Sequence, residues 1–449
     1  MNHKQNTEKE KKIIEYEQRN LVNEHQYSIL ELPTILIYLI ISKLPLMTIF
    51  SCKCVCKAFQ KLVEDPYFAE THLNEAPVTS TTVIVKENLF YFPYFRPYIL
   101  ELDDIPKNSS CSSDHQFSNQ YTISRRSHGV APIDVKCWFL TRNTALIGSC
   151  NGLLCLYTLS VRKPTYCVCN PVTGECMTLP HPASCSTDYY LNYSGFGFCL
   201  KTEQYKVIRF MRSAPPLRTV ALVHTLGTRS WRNIGEAPQP MSRGSFNCVV
   251  DGKLHFITAS NEISETVYSF DLETEKFEPV PMPSHFSPEY VSKISWISVG
   301  VISGSLCLCY MFSDAYFVVL AMQEYGIRES WIKKFAIDIK FHCGWRAVDF
   351  QRPIKFLNNG ELLFLSVSNS LVSYNPRNRA FSDIKSLGYG RAEAIAHVPS
   401  FVSLKTLVFK GETPHGSDHH NYHLLHIQSR RKHIQRIRSI SNHQLFFPD

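Results

Sequence analysis

The sequence predicts an α+β multidomain chain: a small three-helix module followed by an all-β propeller of about six blades. Three observations predict it. Apolar residues recur at helical spacing between residues 27 and 75 and at strand spacing beyond them. Four times in the second part, a turn dipeptide ending in glycine precedes an apolar run. The spacing of those dipeptides settles near fifty residues, a propeller-blade period.

The chain divides by composition. Residues 1–26 are polar and weakly patterned, which predicts a disordered N-terminal segment. Residues 27–75 form the helical module, and 76–405 the strand-rich domain. Residues 406–449 turn basic and His-rich, which predicts a flexible tail.

Within the module, Leu32, Ile35, Leu36, Leu39 and Ile40 recur at i, i+3, i+4, i+7 and i+8, a helical stripe that Ile37 and Ile41 widen. Pro33 places the helix start near itself, and Leu44-Pro45 breaks the run. A second helix runs from Leu46 into the stretch "SCKCVCKAF", where three cysteines stand at alternate positions. On a strand they would share one side and invite a metal. But Val55, Phe59, Leu62 and Val63 follow helical spacing, so Cys54 turns away from Cys52 and Cys56. The thiols then fail to converge on one ion, and the reading is of structural cysteines, with no metal site. Asp65-Pro66 ends the run. Some forty residues in three short helices are too few to bury this much apolar surface among themselves. They must pack onto the larger domain or meet another protein.

In the strand-rich part, Asn151-Gly152 precedes "LLCLY", Asp251-Gly252 "KLHFI", Ser303-Gly304 "SLCLCY" and Asn359-Gly360 "ELLFLSV". These are hairpin signals. Glycines 152, 252, 304 and 360 lie 100, 52 and 56 residues apart. Halving the first gap places a further unit at "GFGFCLKTEQYKVIRF", and the period becomes kelch-like. "YCVCNPVTGECMTLP", "VYSFDLETEKFEPVP" and "LVSYNPRNRAFSDI" share a second plan, a strand, a turn at Asn170, Asp271 or Asn375, and another strand. The first blade must include "TTVIVKENLFYF" and "PYILELDD", with a polar exposed loop from Lys107 to Gly129. Two packed sheets are the alternative architecture.

Composition narrows function. The net charge of +8 is modest for 449 residues and partly concentrated in the tail around "SRRKHIQRIR"; the reading is of no nucleic-acid partner. No apolar run approaches the ~20 residues that span a bilayer, and the charged opening carries no signal-peptide pattern. The expectation is a cytoplasmic or nuclear protein, with no membrane partner and its 16 cysteines reduced. Phosphate-loop, Gly-x-Ser-x-Gly and His-Glu-x-x-His patterns are missing from the sequence. No catalytic residue and no cofactor is expected. The His-rich stretch from His415 to His433 reads as solvated tail, with a basic cluster that could serve nuclear import.

The span "LPTILIYLIISKLPLMTIFSCKCVCKAFQKLVEDPYF" resembles an F-box: Leu32-Pro33, Leu44-Pro45, Val55-Cys56-Lys57-Ala58-Phe59 and Pro66-Tyr67-Phe68 fill the family's pattern. "GSCNGLLCLY", "NPVTGECMTLP" and "YSGFGFCLKTEQYKVIRF" resemble the plant F-box-associated domain, though Cys199 and Gln204 stand where that family carries acidic residues. The resemblance implies a substrate-recognition subunit of an SCF-type ubiquitin ligase. Its helices would dock on the Skp adaptor, and through it the cullin scaffold, while its propeller captures a protein substrate. The adaptor-binding positions carried over are Leu32, Pro33, Leu36, Ile40, Leu44, Pro45, Leu46, Val55 and Cys56, some of which face the module's own core. Alternatives are a non-ligase scaffold or inhibitor, or a propeller that binds a glycan or small molecule. Trp231, Trp331 and Trp345 are candidate anchors on the propeller, with core packing the commoner role for each.

Overall fold

The computed structural model describes residues 29–75, 81–86, 97–102, 129–132, 144–158, 165–182, 193–213, 218–241, 248–260, 262–263, 266–338, 350–357, 360–366, 369–387 and 392–408. The expectations for residues 1–26, the 107–129 loop up to residue 128, Trp345, Asn359 and the tail beyond 408 lie outside them.

The helical module begins with a single 3-10 turn, Ile29–Glu31, and continues with α1 (Thr34–Ser42), α2 (Leu46–Val55), α3 (Lys57–Glu64) and α4 (Pro66–Glu75). Pro33 and Pro45 stand immediately before α1 and α2, where a missing N–H costs nothing. The run expected as one helix through the cysteines breaks at Cys56, whose backbone is extended (φ −159°, ψ 166°). Pro66, expected to end the helices, instead begins a fourth. Asp65 Oδ1 accepts from the Tyr67 N–H at 2.8 Å, and proline suits a first helical position.

Six four-stranded antiparallel sheets follow. Blade 1 holds β1 (Thr81–Lys86), β2 (Tyr98–Leu102) and β3 (Gly129–Pro132). Blade 2 holds β4 (Thr144–Cys150), β5 (Leu153–Thr158), β6 (Thr165–Cys169) and β7 (Cys176–Thr178). Blade 3 holds β8 (Tyr193–Cys199), β9 (Gln204–Ser213), β10 (Arg218–Thr225) and β11 (Arg232–Glu236). Blade 4 holds β12 (Val249–Val250), β13 (Lys253–Ile257), β14 (Val267–Asp271) and β15 (Phe277–Pro279). Blade 5 holds β16 (Ile294–Ile302), β17 (Ser305–Phe312), β18 (Tyr316–Met322) and β19 (Trp331–Asp338). Blade 6 holds β20 (Phe350–Phe356), β21 (Leu362–Ser366), β22 (Ser370–Asn375) and β23 (Ala380–Ser386).

The recurring glycine dipeptides join first to second strands. Asn151 and Gly152, Asp251 and Gly252, and Ser303 and Gly304 all have positive φ, as a two-residue hairpin turn that follows strand twist demands. Gly152 has a second constraint: a Cβ there would lie 2.2 Å from that of Ser400. Blade 3, the unit placed by halving a gap, turns through Glu203 (φ 55°) without a glycine dipeptide. At the third-to-fourth turns Asn170, Asp271 and Asn375 accept backbone N–H bonds from residues two positions ahead, at 2.8–2.9 Å.

Second strands read as unbroken apolar runs because both faces are buried. On β5, Leu153, Cys155 and Tyr157 pack toward blade 3, while Leu154 and Leu156 pack toward blade 1. Cys167, Cys169, Cys307 and Cys309 fill similar places. Burial pushes the Cys155 and Cys307 thiols well up, so they behave as small apolar groups.

The ring closes through β24 (Glu393–His397), which pairs antiparallel with β1 and completes blade 1. Glu393 fastens the joint. One carboxylate oxygen accepts from Lys86 Nζ at 3.0 Å, the other from the Leu146 N–H of blade 2 at 2.8 Å. Beyond β24 the chain crosses blade 2. Asn170, fully buried, donates from Nδ2 to the Ser400 and Val402 carbonyls at 2.9 and 2.8 Å. Glu175 then accepts from the Leu404 N–H at 2.6 Å, at the start of a last short helix, Leu404–Val408.

Candidate functional site

The helices sit at one end of the propeller. Antiparallel pairing puts the first-to-second and third-to-fourth turns of every blade at that end, and the remaining connectors at the other. The chain leaves α4 and enters the second strand of blade 1 from the turn end. The segment after β24 lies there too.

One side of α2 faces the propeller. Leu46, with Met47 and Phe50, joins the core of Ile84, Ile99, Leu146, Leu154 and Ile395 between blades 1 and 2. Glu101 of β2 aims its buried carboxylate at the start of α2. It accepts from the Leu46 N–H at 3.0 Å and the Met47 N–H at 3.4 Å, where unpaired amides and the helix dipole favour an anion. Phe401 wedges between the two parts, its ring 5.3 Å from Phe68, 4.8 Å from His72 and 6.2 Å from Phe50.

The module's own core is Ile37, Tyr38 and Ile41 of α1 with Ile49, Val63 and Phe68. That consumes one face of α1. The other face carries Leu36 and Ile40, with Leu32 just before the helix, each more than 40% exposed, and Ile35, which the carried-over positions missed and which is 52% exposed. The stripe of i, i+3 and i+4 residues contained Ile35, so the signal was present. At 1.5 Å rise per residue these side chains form a continuous apolar strip along the helix. Such a strip is the kind of surface a protein partner can cover.

Of the remaining expected adaptor positions, Pro33 and Pro45 are exposed at helix starts, and Leu44 is half-buried against the module's core. Val55, 70% exposed, and Cys56 form a second exposed group at the junction of α2 and α3. Leu46 differs. It is 3% exposed and turned into the propeller, because α2 uses that side to anchor the module.

Trp231 and Trp331 serve the ring. Trp231 Nε1 donates to the Pro180 carbonyl at 2.7 Å, and Trp331 Nε1 to the Pro281 carbonyl at 2.8 Å. Each ties the fourth strand of one blade to the end of the blade before it. Among the described residues no group of three or more His, Cys, Asp or Glu is arranged to hold a metal ion, and no helix is long and apolar enough to cross a membrane.

Buried histidines make the assembly acid-sensitive, three of them strongly. Burial pushes His72, beside Phe401, and His255 down to about 4, and His397 down to about 3. All three stay neutral while folded at pH 6, whereas an unfolded histidine protonates near 6.5. Their contribution is therefore complete above about pH 6.5 and is lost as pH falls toward 4, by about 1.4 kcal/mol per pH unit for each. The urea midpoint is expected to fall between pH 7 and pH 5. A His72→Leu variant should show a shallower fall; an unchanged slope would mean that His72 protonates in place without penalty.

Comparison with known proteins follows the same division. The family model described as the F-box domain matches residues 29–71, and that described as the F-box associated beta propeller domain matches residues 100–386. Similar curated proteins come from Arabidopsis thaliana. The F-box protein At3g07870 is 28% identical over 53% of this chain, which spans 65% of that relative's length. The F-box protein CPR1 is 23% identical over 76% of this chain and 81% of its own. The F-box/kelch-repeat protein At3g23880 is 22% identical over 76% and 87%. A helical module matched as an F-box, fixed to a six-bladed ring matched as its associated propeller, leaves one conclusion: this chain belongs to the F-box proteins that carry an F-box-associated β-propeller domain.

Proposed function

We propose that this chain is the substrate-recognition subunit of an SCF-type ubiquitin ligase, docking on the Skp adaptor through its helices and holding a protein substrate on its propeller. The observation that carries the reading is the exposed strip Leu32, Ile35, Leu36 and Ile40, left outside both the module's own core and its contact with the propeller. Leu44, the two prolines, Val55 and Cys56 extend the docking surface. Leu46 holds the module in place.

The receptor does no bond chemistry. Through the adaptor and the cullin scaffold it brings a substrate lysine close to a charged ubiquitin-conjugating enzyme, raising its effective concentration. The helices occupy the turn end, so recognition falls to the connectors at the opposite end, loops on a rigid scaffold. This activity places the protein in the cytoplasm or nucleus.

A pull-down with purified Skp adaptor tests the reading. Leu36→Asp/Ile40→Asp is expected to abolish binding, since a charge buried there finds no partner. Its urea midpoint should stay near wild type, because both positions are exposed in the free chain. A folded wild-type chain that fails to bind would overturn the proposal.

A further inference from the structure

Between blades 3 and 4 lies a cleft of about 390 Å³. Glu236 and Pro238, at and beyond the end of β11, form one side. Ser260, just beyond β13, forms the other, and the rings of Tyr268 and Phe277 line the space between. Glu236 ends a fourth strand and Ser260 follows a second, so the mouth belongs to the connector end of the ring, opposite the helices.

The two segments at the mouth are bonded to each other. The Ala259 N–H donates to the Gln239 carbonyl, and the Met241 N–H to the Ile257 carbonyl, both at 2.9 Å. The mouth therefore offers an incoming chain side-chain chemistry rather than a strand edge. That chemistry is specific. Tyr268 and Phe277 are half-buried, Pro238 adds apolar wall, and Glu236 is exposed at the rim, while among the described residues no lysine or arginine lines the cleft. An anion would meet the Glu236 carboxylate. A purely aliphatic side chain would leave it unused. A side chain with an apolar stem and a positive tip uses both parts, the stem against the rings and the tip near the carboxylate.

Glu236 is also available. Its partner, Arg218, lies 3.4 Å away, and the two side chains are 66% and 60% exposed. Such a pair holds weakly in water. It shows, too, that a guanidinium reaches this carboxylate.

We infer that the cleft binds a lysine or arginine side chain presented by an extended segment of the protein the propeller captures. The identity of the bearer rests on the receptor reading; the preference for a cation does not. A displayed heptapeptide library panned against the full chain tests it. The enriched peptides are expected to share a lysine or arginine. A synthetic one should bind wild type about threefold tighter than Glu236→Gln, the scale of an exposed ion pair, and about tenfold tighter than Tyr268→Ala, which removes the ring the stem packs on. It should bind Arg218→Gln more tightly than wild type, since the carboxylate is then unpaired. Replacing its arginine with citrulline, or its lysine with norleucine, should cost about as much as Glu236→Gln. Should Tyr268→Ala fail to fold, the surface change Glu236→Gln carries the test. Enrichment without a shared cation, or basic peptides indifferent to Glu236→Gln, overturns the inference. The adaptor pull-down on the same preparations is independent, so a failed receptor reading and a failed cleft give different results.

Discussion

Leu46→Asp is expected to detach the helical module from the propeller and cost on the order of 3–5 kcal/mol, the penalty for an uncompensated buried charge. Leu46 is 3% exposed among Ile84, Ile99 and Leu146, and its own N–H points at the Glu101 carboxylate. The new carboxylate would lose its water and stand close to a second negative charge. Adaptor binding should fall as well, but through loss of the module's structure. The contrast with Leu36→Asp/Ile40→Asp is the informative part: those changes remove binding while leaving the urea midpoint in place. Equal midpoints for Leu46→Asp and wild type would show that α2 is not anchored through this side chain. Hydrogen exchange would locate the damage. Protection should disappear in α1–α4 and persist in the strands of blades 4 and 5, which share no core with the module.

Asn170→Asp, a change of one atom, is expected to destabilise the closed ring by a similar 3–5 kcal/mol. The buried amide works in both directions. Oδ1 accepts from the Val172 and Thr173 N–H groups at 2.9 and 3.3 Å, and Nδ2 donates to the Ser400 and Val402 carbonyls. A carboxylate keeps the first role and inverts the second, setting a negative oxygen against two carbonyls away from water. Asn170→Ala should be milder, on the order of 2–3 kcal/mol, since it leaves polar groups unpaired without adding charge. Urea melts of the three proteins order the effects. If Asn170→Asp proves no worse than Asn170→Ala, the Nδ2 bonds do not hold the segment after β24.

Both changes act on contacts between residues far apart in the chain, and there the sequence was least informative. Local signals were strong. The α1 stripe, Pro33 and Pro45 ahead of their helices, the hairpins at Gly152, Gly252 and Gly304 and the Asx turns each depend on a few neighbouring residues, and each stood where the sequence placed it. The blade count followed from their spacing, including blade 3, whose hairpin lacks the glycine dipeptide. The break at Cys56 and the helix from Pro66 were missed because the apolar spacing runs smoothly through Cys56. A proline after aspartate reads equally as a stop or a start.

The exposed strip on α1 was half legible. Periodicity showed more apolar surface than one face needs, but which face the module keeps for itself depends on α4 and on Phe68 arriving from thirty residues away. Leu46 illustrates the same limit. Its type and position fit a docking residue, and only the approach of blades 1 and 2, brought together by β24 across some three hundred residues, turns it inward. Sequence by itself determined the elements, their repeat and the family, since these are written in short-range pattern. Tertiary structure alone decided how the ring closes, which helix anchors the module and where Glu236 meets Tyr268 and Phe277. Those are meetings of distant segments, and local periodicity carries no record of them.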